Sequence, residues 1–197
     1  MTSASLLADA SWVRARVDGA AKLYGRAPAD VLGTIWWYSL SSVLVAPTLE
    51  SLAAGGVVLD PSLDAVELDL ATDSRFLGAR SLRPLSGPLG DAFAGSLGTA
   101  IATIASVTSA NPRALGAIAT DSIANRLLWA SAPERAEEVV ASIGLGMPRP
   151  RYVTVGRTPA VKRVSCCLIY EVGNAKCVSC PRQKPEEREA RLRAALG

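Results

Sequence analysis

The 197-residue chain has no histidine. That absence removes the Ser-His-Asp triad, imidazole-bound zinc, His-ligated haem and Rieske-type ligation, each of which needs an imidazole. A dinucleotide fingerprint is also missing. The Gly144-x-Gly146 pair follows a helical pattern and runs into prolines, whereas a phosphate-binding loop needs a strand before it and a helix after it. The opening MTSASLLADASWVRAR lacks a basic start and reaches Asp9 and Arg14 too early for a signal peptide, so a reducing cytoplasm is the expected location. No internal repeat is visible.

Cysteine is scarce, and its few instances are gathered in one place. Cys166, Cys167, Cys177 and Cys180 fall within fifteen residues, in the run CCLIYEVGNAKCVSC. Two disulfides there would leave most of the chain uncrosslinked, and a bridge between adjacent cysteines is strained. A structural zinc site draws on two separated Cys-x-x-Cys knuckles, and here only Cys177 and Cys180 form one. Cys166 and Cys167 are adjacent, and in a strand adjacent side chains point to opposite faces, so bringing both sulfurs to one centre needs a bend. A two-iron cluster relaxes that demand because it is wider than a single ion. Concentrated thiolates suit soft metals and iron-sulfur clusters.

Arg163, Ser165, Cys166, Cys167, Leu168 and Tyr170, followed by Cys177, Cys180 and Pro181, resemble the C-terminal signature of the FhuF-type ferric siderophore reductases. In that family the gap between the Cys pair and the knuckle is about one residue longer than the nine residues here. The stretch from Trp36 to Asp60 resembles the helix and first strand of the same family. The resemblance implies a [2Fe-2S] cluster held by Cys166, Cys167, Cys177 and Cys180, and reduction of Fe(III) in a ferric siderophore with release of Fe(II). With no cofactor motif to supply electrons, a separate reductase or ferredoxin is the expected donor. Two readings stand beside this one: a [2Fe-2S] electron carrier without a chelate substrate, and a zinc-stabilised binding protein.

Charge is unevenly spread. Residues 146–197 carry 11 Lys and Arg against 4 Asp and Glu, while the chain as a whole is only +3. Lys162, Arg163, Lys176 and Arg182 flank the cysteines, where cations favour a cluster that gains negative charge on reduction. The same cations attract an anionic ferric chelate, and Arg163 and Lys176 are the candidate contacts. Ser165 and Tyr170 are candidate hydrogen-bond donors to sulfur. Nucleic acid is not expected, since these residues are scattered and no binding motif accompanies them.

The expected fold is α+β: mostly helical, with a small antiparallel sheet and a C-terminal cysteine-rich iron-sulfur segment. Residues 1–145 form the helical part, the candidate siderophore-binding portion, and residues 146–197 the cluster-binding segment, beginning at a linker through GLGMPRPR. Apolar residues from Leu6 to Leu23 recur at helical spacing up to Gly25. A second helix follows to about Ala54, bent by Pro47. Its stretch Val31 to Leu49 is uncharged, close to bilayer length, but diluted by Gly33, Ser39, Ser41, Ser42 and Thr48. A buried helix is expected there, with membrane contact at most peripheral.

Between about residues 56 and 82, VVLD, Ala65 to Thr72 and Arg75 to Leu82 read as a β-meander crowded by Asp60, Asp64, Glu67 and Asp69, with Glu67 and Asp69 alternating onto one solvated face. Further helices start near Gly90, Pro112 and Pro133, and one at Pro185. RYVTVG and AVKRVSCCLIYEV read as strands, placing the Cys pair at or near a strand. Trp36, Trp37 and Trp129 are expected in the core.

Overall fold

In the computed structural model, which describes residues 1–71 and 73–196, helices surround one central apolar helix and two small sheets lie at the margins. Helix α1, Ala10–Tyr24, begins where Asp9 Oδ1 accepts from the amides of Ser11 at 2.8 Å and Trp12 at 3.1 Å. It ends at Gly25, whose φ of 99° disfavours other residues. Val13, Val17 and Ala20 form its buried stripe.

The next apolar stretch divides at Val45 into α2, Ala29–Leu44, and α3, Ala46–Ala53. Pro47 has no N–H to continue the helical ladder, so the expected bend becomes a break. Together these residues are long and apolar enough to cross a membrane, yet two-thirds of the qualifying stretch is covered by neighbouring structure.

Helix α2 is the axis of the core. Leu32, Ile35, Trp36, Trp37, Leu40 and Leu44 are buried on it, and each such side chain removed from water contributes about 1.5–3 kcal/mol. Around it pack α1, α4 (Leu89–Thr108) and α5 (Pro112–Trp129), while α6, Ala136–Ile143, covers α4. Trp37 Nε1 donates to the Leu115 carbonyl at 2.8 Å. Gly33 sets the approach of α2 to α4: a Cβ there would stand 2.7 Å from Thr108 Oγ1. Ser41 and Ser122 hydroxyls meet at 2.8 Å between α2 and α5. Trp129 departs from expectation. It is 65% exposed at the end of α5, with the Arg126 guanidinium over its ring at 5.3 Å.

The three-stranded antiparallel sheet is not the expected meander. Its central strand β2, Val66–Leu70, pairs with β3, Phe76–Ser81, but its other neighbour is β1, Thr2–Ser3, at the chain start. VVLD contributes one bridge, Leu59 to Pro84, and Pro61 has no amide to extend the ladder. The expected strand end at Thr72 lies outside the described residues. Glu67 pairs across the strands with Arg80, at 2.9 and 2.7 Å. Asp60 is 6% exposed and bonded to Arg83 Nε at 2.8 Å, with Arg83 also gripping Asp64.

A second antiparallel pair, β4 (Tyr152–Val155) and β5 (Thr158–Val161), turns at Gly156 with φ 61°. β5 lies on α5, and the C-terminal helix α7, Pro185–Leu196, packs on β4. Side chains pin the approach to this hairpin. Thr120 donates to the Pro148 carbonyl at 3.0 Å, and the Tyr152 hydroxyl to the Ala124 carbonyl at 3.1 Å. The cysteine segment is thereby laid along α5.

Candidate metal centre

Asp121, 2% exposed on α5, is the anchor of the site. Its carboxylate accepts from Val164 N at 3.1 Å, Ser165 N at 3.2 Å and Ser165 Oγ at 2.8 Å. These amides are therefore turned toward a helix and are lost to any sheet ladder, which explains why β5 stops at Val161. The Cys pair lies in irregular chain beyond it, not in the expected strand. Just after the pair, Leu168 adopts a left-handed φ of 62°, and its amide donates back to Cys166 Sγ at 3.4 Å. This is the bend the adjacent cysteines need.

A 3₁₀ turn, Ile169–Val172, ends at Gly173, and the chain returns to the knuckle. There Cys180 N donates to the Cys177 carbonyl at 3.0 Å. The buried side chain of Gln183 braces the same turn from below, Nε2 donating to the carbonyls of Cys177 at 2.6 Å and Val178 at 3.3 Å.

The four sulfurs are gathered together. Cys180 and Cys166 Sγ stand 3.7 Å apart, and Cys166 and Cys177 lie close enough to Cys167 to govern its ionisation. Two sulfurs on one tetrahedral metal, with bonds of about 2.3 Å, are about 3.8 Å apart. Among the described residues no three Cys, Asp or Glu side chains gather as a single-ion site. Cys167 and Cys180 are buried, while Cys166 and Cys177 keep partial access to solvent.

Arg163 closes the Cys177 end. Its Nη1 donates to Cys177 Sγ at 3.3 Å, its guanidinium lies 4.7 Å from the Tyr38 ring centroid, and its Nε stands 3.5 Å from Asp121 Oδ2. That last distance permits Coulomb attraction but the two groups are not aligned as a hydrogen bond, so Nε and Nη2 are buried donors without a protein acceptor. Such orphaned donors beside thiolates fit a group that brings acceptor atoms of its own, as the sulfides of an iron-sulfur cluster do.

Charge is shared among the thiols. The Cys167 thiol is pulled well below its ordinary pKa by donation from Cys166 and Cys177 with Arg163 close by, and the same bonds push Cys166 and Cys177 up. Burial raises Asp121 against the opposing bonds from Val164 and Ser165 and the charge of Arg163. Burial also works against the Arg163 charge, but the surrounding anionic groups prevail and keep it protonated.

The structure assigns different places to the other expected site residues. Ser165 spends its single O–H on Asp121 and has none for sulfur. Neighbouring Glu171 raises the Tyr170 pKa, and Lys176 Nζ lies 5.6 Å from its ring centroid. Arg163 is 5% exposed, so it meets sulfur and not a ligand in solvent. Lys176 is exposed, with Nζ donating to the Arg182 carbonyl at 3.2 Å. Sequence reasoning missed Asp121, Tyr38 and Gln183. Asp121 did leave a signal: it is the lone acid in the otherwise apolar and small-residue stretch Leu115 to Ala124. Tyr38 and Gln183 left none.

No curated protein and no solved structure matches the chain. Residues 163–182, about a tenth of the chain, match the family described as FhuF 2Fe-2S C-terminal domain. This short segment spans all four cysteines together with Arg163 and Ser165. Its cofactor is a [2Fe-2S] cluster, and the cysteine-rich end of this protein is similar to the FhuF 2Fe-2S C-terminal domain.

Proposed function

We propose that this protein is an iron-sulfur oxidoreductase that passes single electrons to Fe(III) in an anionic siderophore chelate, releasing Fe(II). Cys166, Cys167, Cys177 and Cys180 hold the cluster, and the cluster supplies reversible one-electron chemistry when bound. The observation that carries the substrate side is the setting of Cys166. It is half-buried and lines an open cavity of about 470 Å³ together with Thr34, Asn111, Leu168 and Arg182. A chelate seated there would stand next to a ligand sulfur, with the exposed Arg182 and Lys176 offering positive charge to an acidic guest.

Hard oxygen chelators favour Fe(III) over the softer Fe(II), so reduction itself loosens the metal. The electrons come from a separate ferredoxin or reductase, since the chain carries no nucleotide fingerprint. The reducing cytoplasm is the proposed setting, because there free thiols persist, with any membrane contact peripheral. Mixing the reduced protein with a ferric hydroxamate or catecholate in the presence of an Fe(II)-specific trap tests this reading. Bleaching of the reduced spectrum in step with Fe(II) capture supports it. Reoxidation by protein acceptors but by no ferric chelate would make the protein an electron carrier.

A further inference from the structure

The four sulfurs divide into two pairs. Cys180 and Cys166 have the 3.7 Å spacing of two ligands on one tetrahedral metal, which leaves Cys167 and Cys177 as the other pair. The two pairs also differ in surroundings. Cys166 receives a neutral amide, Leu168 N, at 3.4 Å, and lines a cavity open to solvent. Cys177 receives the buried guanidinium of Arg163 at 3.3 Å, whose Nε and Nη2 have no protein acceptor. Arg182, which lines that cavity with Cys166, is exposed and screened by water and salt.

We propose that Cys166 and Cys180 hold one iron and Cys167 and Cys177 the other, and that the electron accepted on reduction rests on the Cys167/Cys177 iron. The adjacent cysteines are thus divided between the two irons, as are the two knuckle cysteines. On reduction one electron enters from a one-electron donor such as dithionite, one ferric ion becomes ferrous, no bond forms or breaks, and the cluster gains one negative charge. That charge is more stable beside the buried guanidinium than at the end facing solvent. Asp121 opposes the effect, but its carboxylate is directed to Val164 and Ser165 and bonds no sulfur. Arg163 is therefore a positioning residue, fixing where the electron sits.

The inference rests on the four-cysteine ligand set proposed above, and is independent of any chelate. It is tested on the dithionite-reduced holoprotein without chelate, by paramagnetic NMR of cysteine labelled at Cβ, each residue identified through isotope labelling of its sequence neighbour. In a valence-localised pair the cysteines on the ferrous ion have β-proton shifts that grow on warming, while those on the ferric ion shrink. We expect Cys167 and Cys177 in the first class and Cys166 and Cys180 in the second. Cys177 and Cys180 in one class, or the electron on the Cys166/Cys180 iron, would overturn the assignment.

Arg163→Gln should shift the reduction equilibrium toward the oxidised form by about tenfold, or about 59 mV for one electron. Arg163→Lys, which keeps the charge, should restore most of it. An unchanged potential in Arg163→Gln with the cluster intact contradicts the role of Arg163. If that variant fails to hold a cluster, the wild-type NMR pattern decides alone.

Discussion

Ser165 gives both its amide and its hydroxyl to the same carboxylate oxygen of Asp121, 44 residues earlier in the chain. This contact joins the cysteine segment to the helical body, and it links how the segment folds to how the cluster is placed. Truncating Asp121 to Ala removes three acceptor bonds and leaves Arg163 buried without its counter-charge. Breaking such a buried pair costs about 3–5 kcal/mol, so we expect a lowered denaturation midpoint and faster cluster loss. Unfolding followed separately by far-UV circular dichroism and by visible absorption checks both effects. An unaltered midpoint would show that Asp121 does not anchor the segment.

Ser165→Ala separates two roles that the sequence left open. The hydroxyl bond to Asp121 is to a charged acceptor, and its loss costs about 1.5–3 kcal/mol. Because that hydroxyl has no proton left for sulfur, the visible and EPR spectra should stay as in wild type. A shifted spectrum with unchanged stability would reverse the assignment.

Asp121→Asn keeps the shape and an acceptor but removes a negative charge next to Arg163. The reduced state, which carries the extra electron, then becomes easier to reach. A redox titration should give a higher potential than wild type, opposite in sign to Arg163→Gln. Equal signs in the two variants would show that structural loosening, and not charge, governs both.

Gly33→Ala addresses the helical body alone. The added methyl meets the Thr108 side chain on α4, and overpacking of this kind costs about 1–3 kcal/mol. The thermal midpoint should fall while cluster content at low temperature stays unchanged. No loss of stability would mean that α2 and α4 move apart freely.

Under the proposed function, the exposed cations Lys176 and Arg182 should make the encounter with an anionic ferric chelate sensitive to ionic strength. The Debye length shrinks from about 10 Å at 0.1 M to about 3 Å at 1 M salt. Stopped-flow bimolecular rates should drop over that range, and less so in Lys176→Ala. A flat profile would remove electrostatic steering from the account.

What the sequence made legible was set by local rules. Gly25, Pro112 and Pro185 marked helix boundaries because a missing amide or a positive φ acts where it stands, while Pro47 was read as a bend and proved to be a break. The cysteine spacing was legible for the same reason. What depended on distant partners was not. β1 at Thr2–Ser3 is too short to carry an alternating pattern and becomes a strand only by pairing with Glu67 and Leu68. The apparent strand through the Cys pair is dissolved by an acid on α5, and Arg163 reads as a surface cation until Asp121, Tyr38 and Cys177 are seen to surround it. Trp129 was misplaced because hydrophobicity does not say which side of a helix end faces solvent.

Cys177→Ser should leave the helical body folded while abolishing visible colour and electron transfer, since Cys177 stands outside the core and its loss removes one of four sulfurs. Full colour in this variant would mean a different ligand set.

The most direct measurement is chemical analysis of protein purified without oxygen: iron, zinc and acid-labile sulfide per chain, with the absorption spectrum recorded on the same sample. Two irons and two sulfides, with visible bands that bleach on adding one electron, are the predicted result. One equivalent of zinc with no sulfide, in a colourless protein, would contradict it.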